Sequence, residues 1–341
     1  GIVPSFAEDA VLRYAPDPRG SPTAREAIAG YYRDRGAHIR PEDLFLTAST
    51  SEAYSFLFKL LCDGGDEVLV PRPSYPLFDF LAALDDVRPW SYPLRFDGAW
   101  HLDFAALESS LTERTRALVA VHPNNPTGSY LSADEGERLL DLELPLIADE
   151  VFLDFPLSER EPATFARSTR GLVFVLSGLS KLAGLPQMKL GWIAIAGERE
   201  LRREAALRLE HIADTYLSVG APVQVAAPRL FELAPSIRRE ISERTRRNLT
   251  ALREAAASAP EVTLLEPQGG WYATLRLPAV RRSEEWALSL LDEQSVYVHP
   301  GSFFGFELEA CLVVSLLTPA GPFDEGLRRL LSAKNPKALS D

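Results

Sequence analysis

Between about residues 40 and 200, short apolar runs alternate with longer amphipathic stretches, and this pattern constrains the fold more than any other feature. It predicts repeated strand and helix units and an α/β fold with a mostly parallel central sheet. Strands are expected at Leu44–Thr47, Glu67–Val70, Ala117–Val121, Pro145–Ala148, Leu172–Leu176 and Leu190–Ala196. Glu52–Cys62 reads as a helix closed by Gly64 and Gly65. Arg- and Glu-rich stretches at Glu198–His211 and Ala234–Ala257 read as exposed helices joined through Pro222–Pro228. Strands return at Trp271–Leu277, Ser295–Val298 and Cys311–Leu316, followed by a helix at Phe323–Ala333. With 341 residues, more than one core usually holds, this tail is expected to form a second, smaller α+β domain.

The formal charge of −12 argues against nucleic acid or an anionic membrane as partner. Cys62 and Cys311, the only cysteines, are too few for a disulfide framework and fit a reducing compartment, so a cytoplasmic location is expected. The start, Gly-Ile-Val-Pro-Ser-Phe, lacks a secretory pattern, and no apolar run is long enough to span a bilayer. Of 36 basic residues only five are lysine: 59, 181, 189, 334 and 337. A lysine inside a structured segment is therefore informative, because arginine cannot offer a primary amine.

In open parallel sheets ligands sit beyond the carboxyl ends of the strands, and here those ends are polar or aromatic. Ser49, Thr50 and Ser51 follow the first strand at a helix start, suited either to a phosphate or to a plain N-cap. Tyr75 sits in a proline-rich loop that could hold its ring flat against a ligand, or be an ordinary turn. His122-Pro-Asn-Asn-Pro-Thr-Gly128 follows another strand. Asp149 and Glu150 end an apolar strand, where burial needs a cationic partner or a capping role. Ser177-Gly-Leu-Ser-Lys181 then brings a rare amine to the same edge. A phosphate cradle, an aromatic platform, an amide, an acid and an amine are together the set that pyridoxal phosphate requires.

These motifs, in this order, resemble the class I/II aminotransferases, fold-type I pyridoxal phosphate enzymes, nearly end to end. The resemblance implies that Lys181 is the Schiff-base lysine, Asp149 the pyridinium partner and Asn125 a donor to the ring hydroxyl. By the same likeness Tyr75 stacks on the ring, Thr50 and Ser51 fall in the phosphate-binding turn with Lys189 at another phosphate position, and Ser49, Ser177 and Ser180 are cofactor-binding residues. Tyr14 is similar to the tyrosine that reaches the phosphate of the partner subunit, which implies a homodimer with shared active sites. The division expected is a segment of residues 1–30 joining the small domain, a large domain over 31–228 and a small domain over 229–341. The family's amino-terminal arm, which often closes over substrate, would precede the first residue.

Three positions depart from the family pattern. Lys189 stands where an arginine grips the phosphate, losing a planar bidentate contact. Phe152 replaces a tyrosine that donates to the ring hydroxyl. Val313 occupies the place of the arginine that clamps a substrate carboxylate, so either another arginine, such as Arg19 or Arg72, takes that role, or the substrate presents something other than a simple α-carboxylate. The implied reaction is amino transfer between an amine and an oxo acid; alternatives are a pyridoxal phosphate lyase and a non-catalytic cofactor-binding paralogue. His122 and His299 read as satisfied polar residues rather than metal ligands, and Trp271 and Tyr272 as packing of the small domain.

Overall fold

A computed structural model describes residues 4, 6, 8–159 and 162–333. In chain order the first elements are α1 (Pro22–Arg33), β1 (Leu44–Thr47), α2 (Thr50–Leu61), β2 (Glu67–Arg72), α3 (Phe78–Leu84), β3 (Arg88–Phe96), β4 (Trp100–Leu102) and α4 (Phe104–Ser109). They continue as β5 (Thr115–Val121), α5 (Ala133–Leu140), β6 (Leu146–Asp149), β7 (Leu172–Gly178), α6 (Leu179–Leu182), β8 (Gly191–Gly197), α7 (Arg199–Tyr216) and α8 (Ala221–Ala257). The last are β9 (Thr263–Leu265), β10 (Tyr272–Arg276), α9 (Ser283–Gln294), β11 (His299–Pro300), β12 (Cys311–Ser315) and α10 (Ala320–Ser332).

The large sheet runs β1-β8-β7-β6-β5-β2-β3-β4. Strands β7, β6, β5, β2 and β3 are parallel, while β8 pairs antiparallel with both β7 and β1. Helices cover both faces. On one, α1 and the first part of α8 bury Ile28, Tyr32, Ala226 and Leu230 against Leu46, Val175 and Trp192. On the other, α2 and α7 bury Phe56, Leu57 and Leu209 against Val119, Phe174 and Ile193. Burial on both faces is what made the strand runs uniformly apolar. The small sheet, β11-β12-β10-β9, is antiparallel and packs with the far end of α8, α9 and α10 around Leu252, Trp286, Leu312 and Phe323.

Two expectations are corrected. Pro222–Pro228 is no joint: it lies inside α8, a continuous helix of 37 residues that holds both Pro228 and Pro235 in its interior. Proline forfeits a backbone hydrogen bond, but α8 is clamped into both hydrophobic cores, and that packing overrides the local preference. Residue 228 therefore lies within an unbroken element. Ser295–Val298 is not a strand: Ser295 closes α9 with φ 54°, and only His299 and Pro300 pair with β12. The strand β3, not among those expected, runs through Pro89 and Pro93. It lies next to the sheet edge, with Tyr92 donating to the Val119 carbonyl at 2.7 Å.

Candidate active site

The topology, rather than proximity in sequence, assembles the polar strand ends. Thr47, Gly191 and Gly178 stand in register across β1, β8 and β7, and Val121, Asp149 and Leu176 across β5, β6 and β7. From the ends of these two rows leave the segments that carry Ser49–Ser51, Asn125, and Ser177–Lys181. Gly191 permits the closest approach: a Cβ there would lie 3.0 Å from the Ser49 carbonyl carbon and 3.2 Å from the Thr50 nitrogen. The Ser49 hydroxyl accepts from the Glu52 amide at 3.2 Å, so Ser49 is an N-cap. With that cap in place, the first-turn amides of Thr50 and Ser51 lead out of the end of α2. Lys189 is exposed, two residues before Gly191, in left-handed conformation.

Asp149 is buried at the end of β6. Its carboxylate accepts from the Tyr54 hydroxyl at 3.0 Å and from the Val151 amide at 3.2 Å. Burial raises its pKa to about 6, against the opposing pull of those two donors and of the Lys181 charge. Among the described residues no lysine or arginine forms an ion pair with it. The adjacent Glu150 is pushed by burial to about 7, but is held by the Thr164 hydroxyl at 2.7 Å and the Phe165 amide at 2.6 Å. Glu150 thus fastens the loop before β7, whereas Asp149 remains at the sheet edge.

Lys181 lies in α6, one residue after Ser180. Its Nζ is 5.7 Å from the centroid of the Phe152 ring and 5.8 Å from that of Trp271, and burial lowers its pKa against the attraction of Asp149. Trp271 is corrected by this position: it joins Phe152 and Phe155 beside the lysine instead of the small-domain core. Two neighbouring asparagines are also told apart. Asn124 is consumed by Ser74, the Pro73 carbonyl and Thr127, at 2.8–3.0 Å, while the buried Oδ1 of Asn125 has no partner. Ser177 Oγ is likewise buried without a partner. Tyr75 is half-buried, edge-on to Phe78, and the charges of Asp149 and Tyr272 raise its pKa further after burial has done so. Tyr14 is 88% exposed.

Both arginines suggested as substitutes for a carboxylate clamp are engaged elsewhere. Arg72 grips both oxygens of Asp79 at 2.7 and 2.6 Å, and Arg19 holds Glu210 at 2.6 Å and also donates to the Glu42 carbonyl. Val313 is buried between Thr274 of β10 and His299 of β11, its register partners. His122 accepts from the Leu131 amide at 3.0 Å, and no metal-binding group of His, Cys, Asp and Glu occurs among the described residues. Tyr54 was missed by sequence reasoning; its signal is a phenol on the buried stripe of a helix that begins at the phosphate-like turn.

The family described as aminotransferase class I and II matches residues 6–332. Among curated proteins, tyrosine aminotransferase of Mus musculus is 27% identical, covering 86% of this chain and 67% of its own length. Alanine aminotransferase of Mycobacterium bovis is 29% identical, with 85% and 71% covered. Among solved structures, alanine aminotransferase of Pyrococcus furiosus is similar at a TM-score of 0.89 and 26% identity, over 98% of this chain and 87% of that one. An aspartate aminotransferase variant of Thermus thermophilus shares the fold, with TM-score 0.86 and 23% identity over 97% of this chain and 87% of that one. The chain belongs to the aminotransferase class I and II family and is a transaminase of fold type I, from a family that works with pyridoxal phosphate.

Proposed function

We propose that this chain binds pyridoxal phosphate at the edge described above and moves an amino group between a small amine substrate and an oxo acid. Asp149 carries the reading: a buried carboxylate, its pKa raised, that forms no ion pair among the described residues, is the site that a protonated ring nitrogen completes. The partnerless Ser177 Oγ supports the same fit, and the partnerless Asn125 Oδ1, an acceptor, suits a ring hydroxyl that donates to it, since buried polar atoms are rarely left unmatched without a reason. Lys181 would hold the cofactor through Nζ, Asn125 its ring hydroxyl and Tyr75 its ring face. Ser49, Thr50, Ser51, Ser177, Ser180 and Lys189 would hold its phosphate. The exposure of Leu12 and Tyr14 supports a homodimer in which Tyr14 serves the second subunit. Two cysteines and no described helix able to cross a membrane fit a cytoplasmic location.

When bound, pyridoxal phosphate supplies an electron-withdrawing ring next to the reacting nitrogen. Asp149, ionised, keeps a proton on the ring nitrogen. Lys181 Nζ takes the α-proton of the substrate; its lowered pKa raises the share of neutral amine available as base near pH 7. Phe152 and Trp271 shield that amine from water. Alanine and tyrosine, the substrates in the relatives' names, are the first amines to try. The test is reconstitution with pyridoxal phosphate: the wild type should gain visible absorbance and lose it on adding an amine, and an oxo acid should restore it. A wild type that takes up no cofactor, or a Lys181→Ala variant with unchanged absorbance and turnover, rejects the reading. Oxo product formed continuously without need of an oxo acid would mark a lyase instead.

A further inference from the structure

The wall that faces Lys181 from the small domain carries a buried valine, Val313, at its centre, and the one arginine of β10 on that face, Arg276, lies at the exposed end of the strand. Opposed residues of an antiparallel pair point to the same side of a sheet. Tyr272, Thr274 and Arg276 of β10 therefore share one face with Ser315, Val313 and Cys311 of β12, and His299 of β11 joins the row of Thr274 and Val313. Tyr272 fixes which way this face looks, because its ring packs on Phe152, the same ring that lies against Lys181. The opposite face carries Ala273, Leu312 and Val314 into the small-domain core. Thr274 is 1% exposed and its Oγ1 has no hydrogen-bond partner; the indole Nε1 of Trp271, also buried, has none either. His299 is paired with the Tyr297 hydroxyl at 3.1 Å. Arg276 stands one step further along the face, exposed at the end of β10.

Building on the pyridoxal phosphate reading, we propose that this wall is a neutral hydrogen-bonding subsite, made by Thr274 and Trp271. It selects an amine substrate that bears an uncharged oxygen group, a carboxamide, ester or alcohol, in preference to a free α-carboxylate. The indole can only donate and the hydroxyl can donate and accept, so each suits a carbonyl or hydroxyl oxygen. A carboxylate would be buried opposite Val313, with Arg72 and Arg19 bound to their own acids and Arg276 out at the exposed end of β10, an arrangement that desolvation opposes. A neutral oxygen loses less on burial and can relieve an orphaned buried group.

The experiment uses the enzyme loaded with pyridoxal phosphate and follows its visible absorbance on titration with matched amines. Each set is an α-amino acid, its primary amide, its alcohol and the plain alkyl amine of the same skeleton, with alanine, leucine and tyrosine side chains. The amide or alcohol should respond at about tenfold lower concentration than the acid. Thr274→Val, which removes the hydroxyl and keeps the shape, should cost that ligand about tenfold while leaving the alkyl amine unchanged. Acids binding as well as or better than amides overturn the proposal. So does a Thr274→Val variant that weakens every amine alike, as a purely structural role would, and so does the absence of any response. Failure of the parent reading looks different: the protein then takes up no cofactor, and the titration has no starting absorbance.

Discussion

The two walls of the crevice are built on opposite principles. The large-domain wall concentrates ionisable groups: Asp149, held by Tyr54 and Val151, faces an amine whose pKa is lowered by the same burial that raises the acid's. The small-domain wall is aliphatic, aromatic and hydroxylic, with buried Val313 at its centre and Arg276 only at its exposed end. Reaction chemistry rests on charge placed at strand ends, where topology brings distant segments together. Substrate choice rests on the facing sheet, which can change polarity without disturbing the first wall. Membership of a family speaks to the first wall much more than to the second.

The largest effect should come from removing the amine. Lys181→Ala is expected to lower turnover by about 10² to 10⁴-fold, the range for loss of a positioned general base, and to abolish the visible absorbance of the loaded enzyme. Steady-state kinetics and a spectrum of the reconstituted variant check both. If turnover falls but the absorbance stays, Lys181 matters only for shape and the contrast between the walls weakens.

Next comes Asp149. In the cofactor-free protein its pKa of about 6 exceeds the unfolded value of 3.8. The folded state therefore binds the extra proton: stability from this group is full below about pH 4 and is lost as pH rises through 6. The difference amounts to about 3 kcal/mol above pH 7. Asp149→Asn does not titrate, so the cofactor-free variant should be the more stable protein at pH 8, with the gap closing toward pH 4. With pyridoxal phosphate present the order should invert, because the wild-type carboxylate then has its cation. Urea denaturation at several pH values, with and without cofactor, measures both signs.

The strand ends were legible from sequence because parallel strands buried on both faces write themselves as apolar runs, after which any polar residue stands out. Lys181 stood out twice, through its position and through the scarcity of lysine. The small-domain wall was much less legible. Its strands are short, β11 is two residues long, and Val296 and Val298 are buried without a pairing partner, so apolar residues there imitate a strand that does not exist. Nor could the sequence say that Arg72 and Arg19 are engaged, since their partners Asp79 and Glu210 are chosen by three-dimensional packing. Pro228 and Pro235 misled for a related reason, their local cost being outweighed by the two cores that α8 joins.

The second wall is sharpened by adding a charge at its centre. Val313→Arg places a long cation at a buried position between Thr274 and His299, and overpacking alone should cost about 1–3 kcal/mol of stability. In the amine titration the preference should move toward acids, and a bound acid should recover part of the lost melting temperature. A variant that is stable yet still favours amides would show that the neutral groups, rather than the missing charge, decide the choice.

The smallest effect tests how finely the first wall is tuned. Tyr54 donates to Asp149 at 3.0 Å and thereby favours the ionised acid against burial. Phenylalanine keeps the ring, which packs edge-on against Phe78 at 5.3 Å, and deletes only the donor. One buried hydrogen bond to a charged group contributes about 1.5–3 kcal/mol in full, and the Val151 amide remains to carry part of the load. Tyr54→Phe should therefore raise the Asp149 pKa and shift the acidic limb of the turnover profile to higher pH by about one unit. Activity on the plateau above that limb should fall only a few-fold. Val313→Arg acts on the opposite wall and should leave the limb where it is. If the limb moves equally in both variants, the two walls are electrostatically one, and the division of labour drawn between them is wrong.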